Sequence, residues 1–323
     1  MVTADDQPEE NSGRMPWWMR GAILLFVIAA VAVVWLTNQL MTARLTDTTR
    51  NRSELRLVLY AGNVSSELQR NSVVPLLLAR DPALIGALQS GDFTTTSERL
   101  ISFQEEIGAA SIMLLDAEGR VMAATDRHQL GTSHGTDPAF TEATQVRETV
   151  FTAVPREAGG YDFTYSRAVM QENQILGVVT VAVDLMKYER SWAGFNDAVA
   201  VLDSDGKIIL STEPRWRGLT MDDALVVRSA PSAIRRALQA TTDWALEPPD
   251  AYLRGEAVMR NETRIPFRGW RLVSFTRYDG VREGVNSVLA LEIMGFAILL
   301  SLIFYAFSRR AWSESASAQK ESA

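Results

Sequence analysis

Two long apolar runs interrupt an otherwise mixed pattern of hydrophobic and polar positions. Residues 21–36 contain no charged side chain, and tryptophans flank the run on both sides, where amphipathic indoles favour the membrane–water boundary. Residues 293–307 form a second uncharged run, followed closely by two arginines. About 20 predominantly apolar residues are needed to cross a bilayer. The pattern therefore predicts transmembrane helices at 16–37 and 286–308.

A cleaved signal peptide is the competing interpretation of the first run. The residues after it offer no convincing small-x-small cleavage site, which favours a retained anchor. Arginines flank both runs on both sides, so charge counting does not orient the chain. Because two crossings leave both termini on one side, we expect both in the cytoplasm and residues 37–287 outside it.

A short pattern between the two runs occurs twice. Residues 112–125 (IMLLDAEGRVMAAT) recur in outline as residues 199–212 (VAVLDSDGKIILST), an offset of 87 residues. Each copy is an apolar strand, an acidic turn with glycine and a second apolar strand, which predicts a β-hairpin. An offset of this size suits a small α/β domain better than a solenoid repeat. The repeat predicts two similar domains in tandem.

The remaining pattern fills in both domains. Residues 38–80 contain little turn chemistry and predict one long stalk helix, about 60 Å at 1.5 Å per residue. Asp81-Pro82 and Asp137-Pro138 each suit a helix N-cap followed by proline. Further helices are expected near 82–89, 95–108, 137–146, 185–194 and 231–240. Strands are expected near 111–116, 120–126, 148–155, 160–170, 175–183, 198–203, 207–212, 251–260 and 270–277. Helices packed on antiparallel strands indicate an α+β fold, with a smaller second sheet.

Composition excludes several classes of function. The chain has no cysteine, so disulfides, thiolate chemistry and Cys-ligated metal sites are ruled out. A net charge of −7 without a basic stripe gives no reason to expect nucleic acid. Nucleophile-elbow, P-loop and dinucleotide motifs are missing, so no cofactor and no enzymatic activity are expected. His128 and His134 show no metal-ligand spacing.

Several segments resemble, in order, the periplasmic tandem-PAS (double Cache) sensor of the C4-dicarboxylate histidine kinases. The matching stretches are LLARDPALIGAL (77–88), GTSHGTDPAF (131–140), SRAVMQENQILGVVTVAVDL (166–185) and LSTEPRW (210–216). Together they span roughly residues 75–278. The resemblance implies two tandem PAS/Cache domains, a two-component system and a location in the bacterial inner membrane.

With that resemblance the chain divides into seven parts. They are a disordered cytoplasmic tail (1–15), the first span (16–37), the stalk helix (38–80), a membrane-distal ligand-binding domain (81–194), a membrane-proximal domain (195–280), the second span (286–308) and a short cytoplasmic tail (309–323). We interpret the repeat as one sensing unit followed by one relay unit.

Two positions depart from the family where charge matters. The family places an arginine in its F-R-P-Y-F loop and a lysine in its V-K-V-D strand, around the bound dicarboxylate. Asp137 and Ala182 stand there in this chain, and Ala139 replaces the second loop tyrosine. A dianion removed from water needs charge-assisted donors. The ligand is therefore expected to differ, and a carboxylate, an amino acid or an amine remains open.

Eight residues are candidates for ligand contact: Ser166, Arg167, Asp137, His134, Thr164, Asp162, Tyr165 and Tyr161. Along the predicted strand the side chains alternate, so Tyr161, Tyr165 and Arg167 share one face while Asp162, Thr164 and Ser166 share the other. The family's serine favours the Ser166 face, and an aromatic row of this kind more often serves packing than recognition. Asp137 could be a helix cap as well as a ligand contact, and His134 stands at a loop position that is tyrosine in the family.

The last 16 residues contain no histidine and are too short for a kinase core. We expect either a piece of a longer kinase or a receptor that couples to a cytoplasmic kinase or another output partner. Leucines along 38–80 do not form a clean heptad, which leaves a homodimer open. A membrane scaffold that binds another envelope protein is the alternative function, and an anchored enzyme is the third.

Overall fold

The computed structural model describes residues 17–157, 159–193, 197–225, 251–253 and 256–321. The predicted disordered tail and the predicted helix at 231–240 lie outside these ranges. The described chain forms two compact units. Residues 17–49 and 278–321 form the membrane unit, and the described residues between 50 and 277 form the sensor unit.

The helices and strands follow the predicted order, with one additional short helix at Met221–Leu225 that the sequence analysis did not predict. The helices are α1 (Trp17–Ser72), α2 (Val74–Leu78), α3 (Pro82–Ser90), α4 (Thr96–Ile107), α5 (Pro138–Gln145), α6 (Met186–Trp192), α7 (Met221–Leu225) and α8 (Asp279–Glu321). The strands are β1 (Ser111–Asp116), β2 (Val121–Ala124), β3 (Val150–Pro155), β4 (Tyr161–Gln171), β5 (Gln174–Val183), β6 (Ala198–Leu202), β7 (Ile208–Ser211), β8 (Ala251–Leu253), β9 (Glu256–Arg264) and β10 (Arg271–Arg277).

The prediction of one unbroken stalk helix over 38–80 is wrong at its end. Helix α1 stops at Ser72, and α2 begins at Val74. Pro75 explains the break, because proline has no N–H to donate and its ring clashes with the carbonyl four residues earlier. At the start of α2 the missing donor costs nothing, since the first turn of a helix has no intrahelical acceptor for it.

The membrane unit pairs the two apolar helices. Both α1 and α8 contain an apolar stretch long enough to cross a membrane, with no burial of either stretch. Phe26 packs edge-to-face on Phe296 with ring centroids 6.0 Å apart, and Thr37 donates a hydrogen bond of 2.8 Å to Glu292. Helix α8 continues beyond residue 308 to Glu321, where a short tail was predicted.

The sensor unit contains two five-stranded antiparallel sheets. The first has the order β2-β1-β5-β4-β3, and the second repeats it as β7-β6-β10-β9-β8. The α+β class with a long helix and two tandem sheets is confirmed. A smaller second sheet holds for strand length but not for strand number, because the segment predicted as one strand at 251–260 supplies both β8 and part of β9.

The repeated hairpin closes with the same hydrogen bonds in both sheets. Asp116 Oδ1 accepts from the backbone N–H groups of Glu118 and Arg120, at 3.0 and 2.8 Å. Asp203 Oδ1 accepts the two corresponding bonds at 2.9 Å each. Both acidic side chains therefore serve turn formation, as expected of aspartate in a turn.

Candidate functional site

One face of the first sheet packs against α1. Phe163 and Tyr165 lie in a core with Leu57 and Leu68 of α1, and both aromatic side chains are buried. Burial raises the pKa of the Tyr165 hydroxyl. The alternation along β4 is regular here, because the bulge falls later, at Val169. Packing is therefore the main role of the aromatic row.

The opposite face carries two buried hydroxyls side by side. Ser166 on β4 is the register partner of Thr180 on β5, and their residues are 0% and 4% exposed. Neither hydroxyl has a hydrogen-bond partner among the described residues. An unsatisfied buried polar group costs about 1–3 kcal/mol, so such a pair calls for an explanation.

Helix α5 covers this face. Phe140 and Ala143 pack in one cluster with Leu115 and Val178 of the sheet. We call the surface between α5 and the strands, centred on Ser166 and Thr180, the hydroxyl face. Thr164 precedes Ser166 by two residues on β4 and shares its side of the sheet, half-buried.

The loop before α5 holds a side-chain hydrogen bond between Asp137 and His134 instead of the predicted helix cap. Asp137 occupies the N-cap position, but its side chain makes no capping hydrogen bond. Its Oδ2 lies 2.7 Å from Nδ1 of His134, whose Nε2 lies 2.9 Å from the hydroxyl of Thr132. That hydroxyl donates to the carbonyl of Gln129.

Strand alternation places the nearest predicted cation on the other side of the sheet. Arg167 donates a hydrogen bond of 3.3 Å to the hydroxyl of Thr149, and it points opposite to Ser166. Ala182, at the family's lysine position, faces the same side as Thr180 and contributes no charge. Arg167 therefore does not supply the positive charge that a dicarboxylate would need at the hydroxyl face.

Tyr161 and Asp162 lie elsewhere, at the start of β4. They border a cavity of about 460 Å³ between the end of the first sheet, α6 and the second sheet. Asp162 forms an ion pair with Arg156, with Nε of the arginine 2.6 Å from Oδ1. The hydrogen bond to Asp162 raises the pKa of Arg156. The eight predicted residues are therefore not one cluster.

Sequence reasoning missed Thr180, and also Glu189 and Arg217 in the inter-domain cavity. Thr180 lies in an apolar strand, and only its register opposite Ser166 makes it notable. Glu189 on α6 is 5% exposed and holds Arg217 in a two-bond pair of 2.5 and 3.1 Å. In the sequence, Glu189 is one carboxylate in a short predicted helix. Such a residue is usually solvated, so nothing marked it as buried.

The second domain contacts the first through the turn between β9 and β10. Trp270, which is 3% exposed, packs on Phe151 and Phe163 with ring centroids 5.7 and 6.0 Å away. Arg268 donates a hydrogen bond of 3.0 Å to the carbonyl of Phe151. The rings that back β4 are thus shared by both domains.

Two tandem sheets of this order, backed by one long helix, define a double-Cache sensor fold. The sensor domain of the Vibrio cholerae histidine kinase DctB shares it, with a TM-score of 0.54 at 18% identity over 72% of this chain and 98% of that one. The ligand-binding domain of the Pseudomonas fluorescens chemoreceptor CtaA, in complex with L-isoleucine, gives a TM-score of 0.52 at 14% identity, over 74% of this chain and 96% of that one. At these identities the likeness shows the fold alone.

Sequence comparison adds the relationship. The C4-dicarboxylate transport sensor proteins DctB of Rhizobium meliloti and Pseudomonas aeruginosa are 28% and 25% identical, over 320 and 295 residues. Each alignment covers 88% of this chain, which spans about half the length of these relatives, 50% and 46%. No family model matches the chain. Over its sensor region, the chain is homologous to the C4-dicarboxylate sensor histidine kinases.

Proposed function

We propose that this chain is the input part of a membrane signalling protein, and that it binds a small molecule at the hydroxyl face of the first sheet. The two adjacent, buried hydroxyls of Ser166 and Thr180 carry the proposal, because a ligand would supply the partners that the described protein does not. Similarity to DctB and chemoreceptor sensor domains supports the sensing role. The two apolar helices support a two-pass arrangement, and the proposal places both termini in the cytoplasm.

The charges around the hydroxyl face favour a ligand other than a C4-dicarboxylate. Asp137 is bonded to His134, Arg167 points to the other side of the sheet, and Ala182 carries no charge. A dianion would lose its hydration without charged donors from these residues. An amino acid or an amine places at most one carboxylate against the two hydroxyls, so it needs fewer charged donors than a dianion does. We therefore favour an amino acid or amine ligand.

Strand β4 offers a route for the signal. Ser166 and Tyr165 are neighbours on opposite faces of the strand, and Tyr165 packs on Phe151, which contacts Trp270 of the second domain. A ligand that shifts β4 changes the shared rings, and through them the sheet that precedes α8. The output partner in this proposal is a cytoplasmic kinase or another signalling protein. A scaffold that binds an envelope protein is the alternative.

Binding to the full chain in lipid nanodiscs tests the proposal. We expect a saturable rise in Tm with one or a few members of a panel of L-amino acids, primary amines and C4-dicarboxylates, because ligands stabilise the state that binds them. The Ser166→Ala variant should lose this rise. Ser274→Ala is the matched control, since Ser274 is 3% exposed in the second sheet and away from α5.

A flat response across the panel would count against sensing and favour the scaffold. An equal rise in wild-type and Ser166→Ala protein would place the ligand away from the hydroxyl face. A rise confined to succinate, fumarate or malate would overturn the ligand class while leaving the sensor proposal intact.

A further inference from the structure

The cavity between the two domains has the size and lining of a second small-molecule site. Its volume of about 460 Å³ falls within the range of small-molecule sites, which is about 300–1,000 Å³. Phe163 and Val183 line it from the first domain, Met186 from α6, and Pro214 from the second. Both domains therefore contribute apolar walls, and an occupant would contact both.

The charged groups of the cavity are balanced. It is lined by three arginines and three carboxylates: Arg156, Arg190, Arg217, Asp162, Asp184 and Glu189. Each arginine pairs with one carboxylate. A cavity with no net charge attracts neither a dianion nor a dication, whereas a zwitterion can pair both of its ends.

The three pairs differ in how readily they can open. Glu189 is fixed, because it accepts two bonds from Arg217 and one of 2.7 Å from the backbone N–H of Ser211. The pair of Arg156 with Asp162 is about half exposed on both sides. Exposed ion pairs contribute little to stability, so a ligand can replace them at little cost. The two exposed pairs are thus the contacts available to a ligand, and the buried Glu189 pair stays fixed.

We propose that this inter-domain cavity binds a zwitterionic small molecule of the amino-acid type, separately from the hydroxyl face. Its carboxylate takes the guanidinium of Arg156, its ammonium takes Asp162 or Asp184, and its apolar part lies against Phe163 and Met186. Because the walls come from both domains, occupancy fixes their relative position and modulates the response to the ligand of the first sheet.

The absence of native cysteine allows a direct test on the full chain in nanodiscs. Ala193 lines the cavity at the end of α6, and Ser191 is exposed on the same helix without lining it. We compare maleimide labelling of Ala193→Cys and Ser191→Cys with each standard L-amino acid, with succinate and with putrescine. At ten times the Kd of an occupant, Ala193→Cys should label about tenfold more slowly, because labelling needs the empty cavity.

Charge variants identify the contact. In the Ala193→Cys background, Arg156→Gln should weaken protection about tenfold, whereas Arg147→Gln should leave it unchanged, since Arg147 bonds Asn173 outside the cavity. Protection should persist with Ser166→Ala, which separates this site from the hydroxyl face. The proposal is overturned if no amino acid slows labelling of Ala193→Cys more than of Ser191→Cys, if succinate protects equally well, or if Ser166→Ala abolishes protection.

Discussion

The two sheets of the sensor unit share a strand order and a hairpin turn, yet they differ on the face turned away from α1. In the first sheet that face carries Thr180 opposite Met113, whereas the corresponding position in the second sheet, opposite Ala200, is Val273. Trp216 and Phe275 fill the second face, with ring centroids 5.6 Å apart. The same frame therefore supports a face with two buried hydroxyls beside an apolar cluster in one copy, and an apolar core filled by aromatic rings in the other.

Filling by aromatic side chains is the largest difference between the two faces. Trp216 is 7% exposed, while Gln129, its counterpart at the repeat offset, is half-buried. We expect Trp216→Ala to lower the opening free energy of the second sheet by about 3–5 kcal/mol, the usual cost of removing a large core side chain. Gln129→Ala should change the opening free energy of the first sheet by no more than about 0.5 kcal/mol. Hydrogen exchange of the β6 and β1 amides measures both opening free energies. Equal effects of the two substitutions would contradict a difference in filling between the two faces.

Exchanging the matched pair Thr180 and Val273 tests the hydroxyl. Val273→Thr puts an unpartnered hydroxyl into a core that is 0% exposed, and should cost about 1–3 kcal/mol. Thr180→Val removes one and should stabilise the ligand-free first sheet by up to about 1 kcal/mol, while weakening ligand binding. Exchange rates of β10 and β5 amides give the two values. Destabilisation by Thr180→Val without ligand would show that the hydroxyl already has a partner.

The two domains also differ in how they are bonded to α1, and lowering the pH weakens only one of the two connections. Glu67 of α1 pairs with Lys187 of α6 at 2.9 Å, whereas Ser53 bonds Thr276 of the second sheet at 2.8 Å. Burial pushes the pKa of Glu67 upward, but the hydrogen bond and charge of Lys187, with the charge of Arg70, outweigh it and hold the pKa below its ordinary 4.5. This stabilisation is present above pH 4.5 and is lost as the pH falls through the folded-state pKa.

The smallest expected effect is therefore a pH-dependent one. At neutral pH, Glu67→Gln should lower Tm by about 2–4 °C, a change near 1 kcal/mol, and the difference from wild type should shrink below pH 4.5. Ser53→Ala should shift Tm by an amount that does not depend on pH, because no titrating group is removed. Thermal scans from pH 7 to pH 3 measure both. If the Tm difference between Glu67→Gln and wild type stayed constant across this range, the ion pair would not be the cause of the stabilisation.

The sequence predicted the elements better than the sites. Period-2 and apolar patterns placed the strands of the first sheet to within about two residues, and the repeated turn anticipated a second sheet of the same kind. The pairing of Ser166 with Thr180 could not be foreseen. It depends on a two-residue turn with positive φ at both Glu172 and Asn173, and on the bulge at Val169. Glutamate is not a residue that such turns favour.

The inter-domain cavity could be predicted from the sequence even less than the hydroxyl face. Tyr161 and Asp162 were candidates because of their places on β4, but much of the cavity wall around them comes from α6 and the second domain, 20 or more residues away. How those elements dock depends on the shared rings around Trp270, and no local pattern encodes that contact. The break at Pro75 was readable, since proline inside a helical pattern usually ends the helix.

The aspartate turn has a consequence for how such proteins diversify. Because Asp116 and Asp203 satisfy their own turns with local backbone donors, the hairpin keeps its shape whatever the rest of the sheet faces. In a gene that carries two copies, one domain can then acquire a filled core while the binding surface of the other continues to change. The filled domain is also a starting point for engineering. Replacing its aromatic rings by small side chains would create a second binding cavity in the same polypeptide, which a biosensor could use.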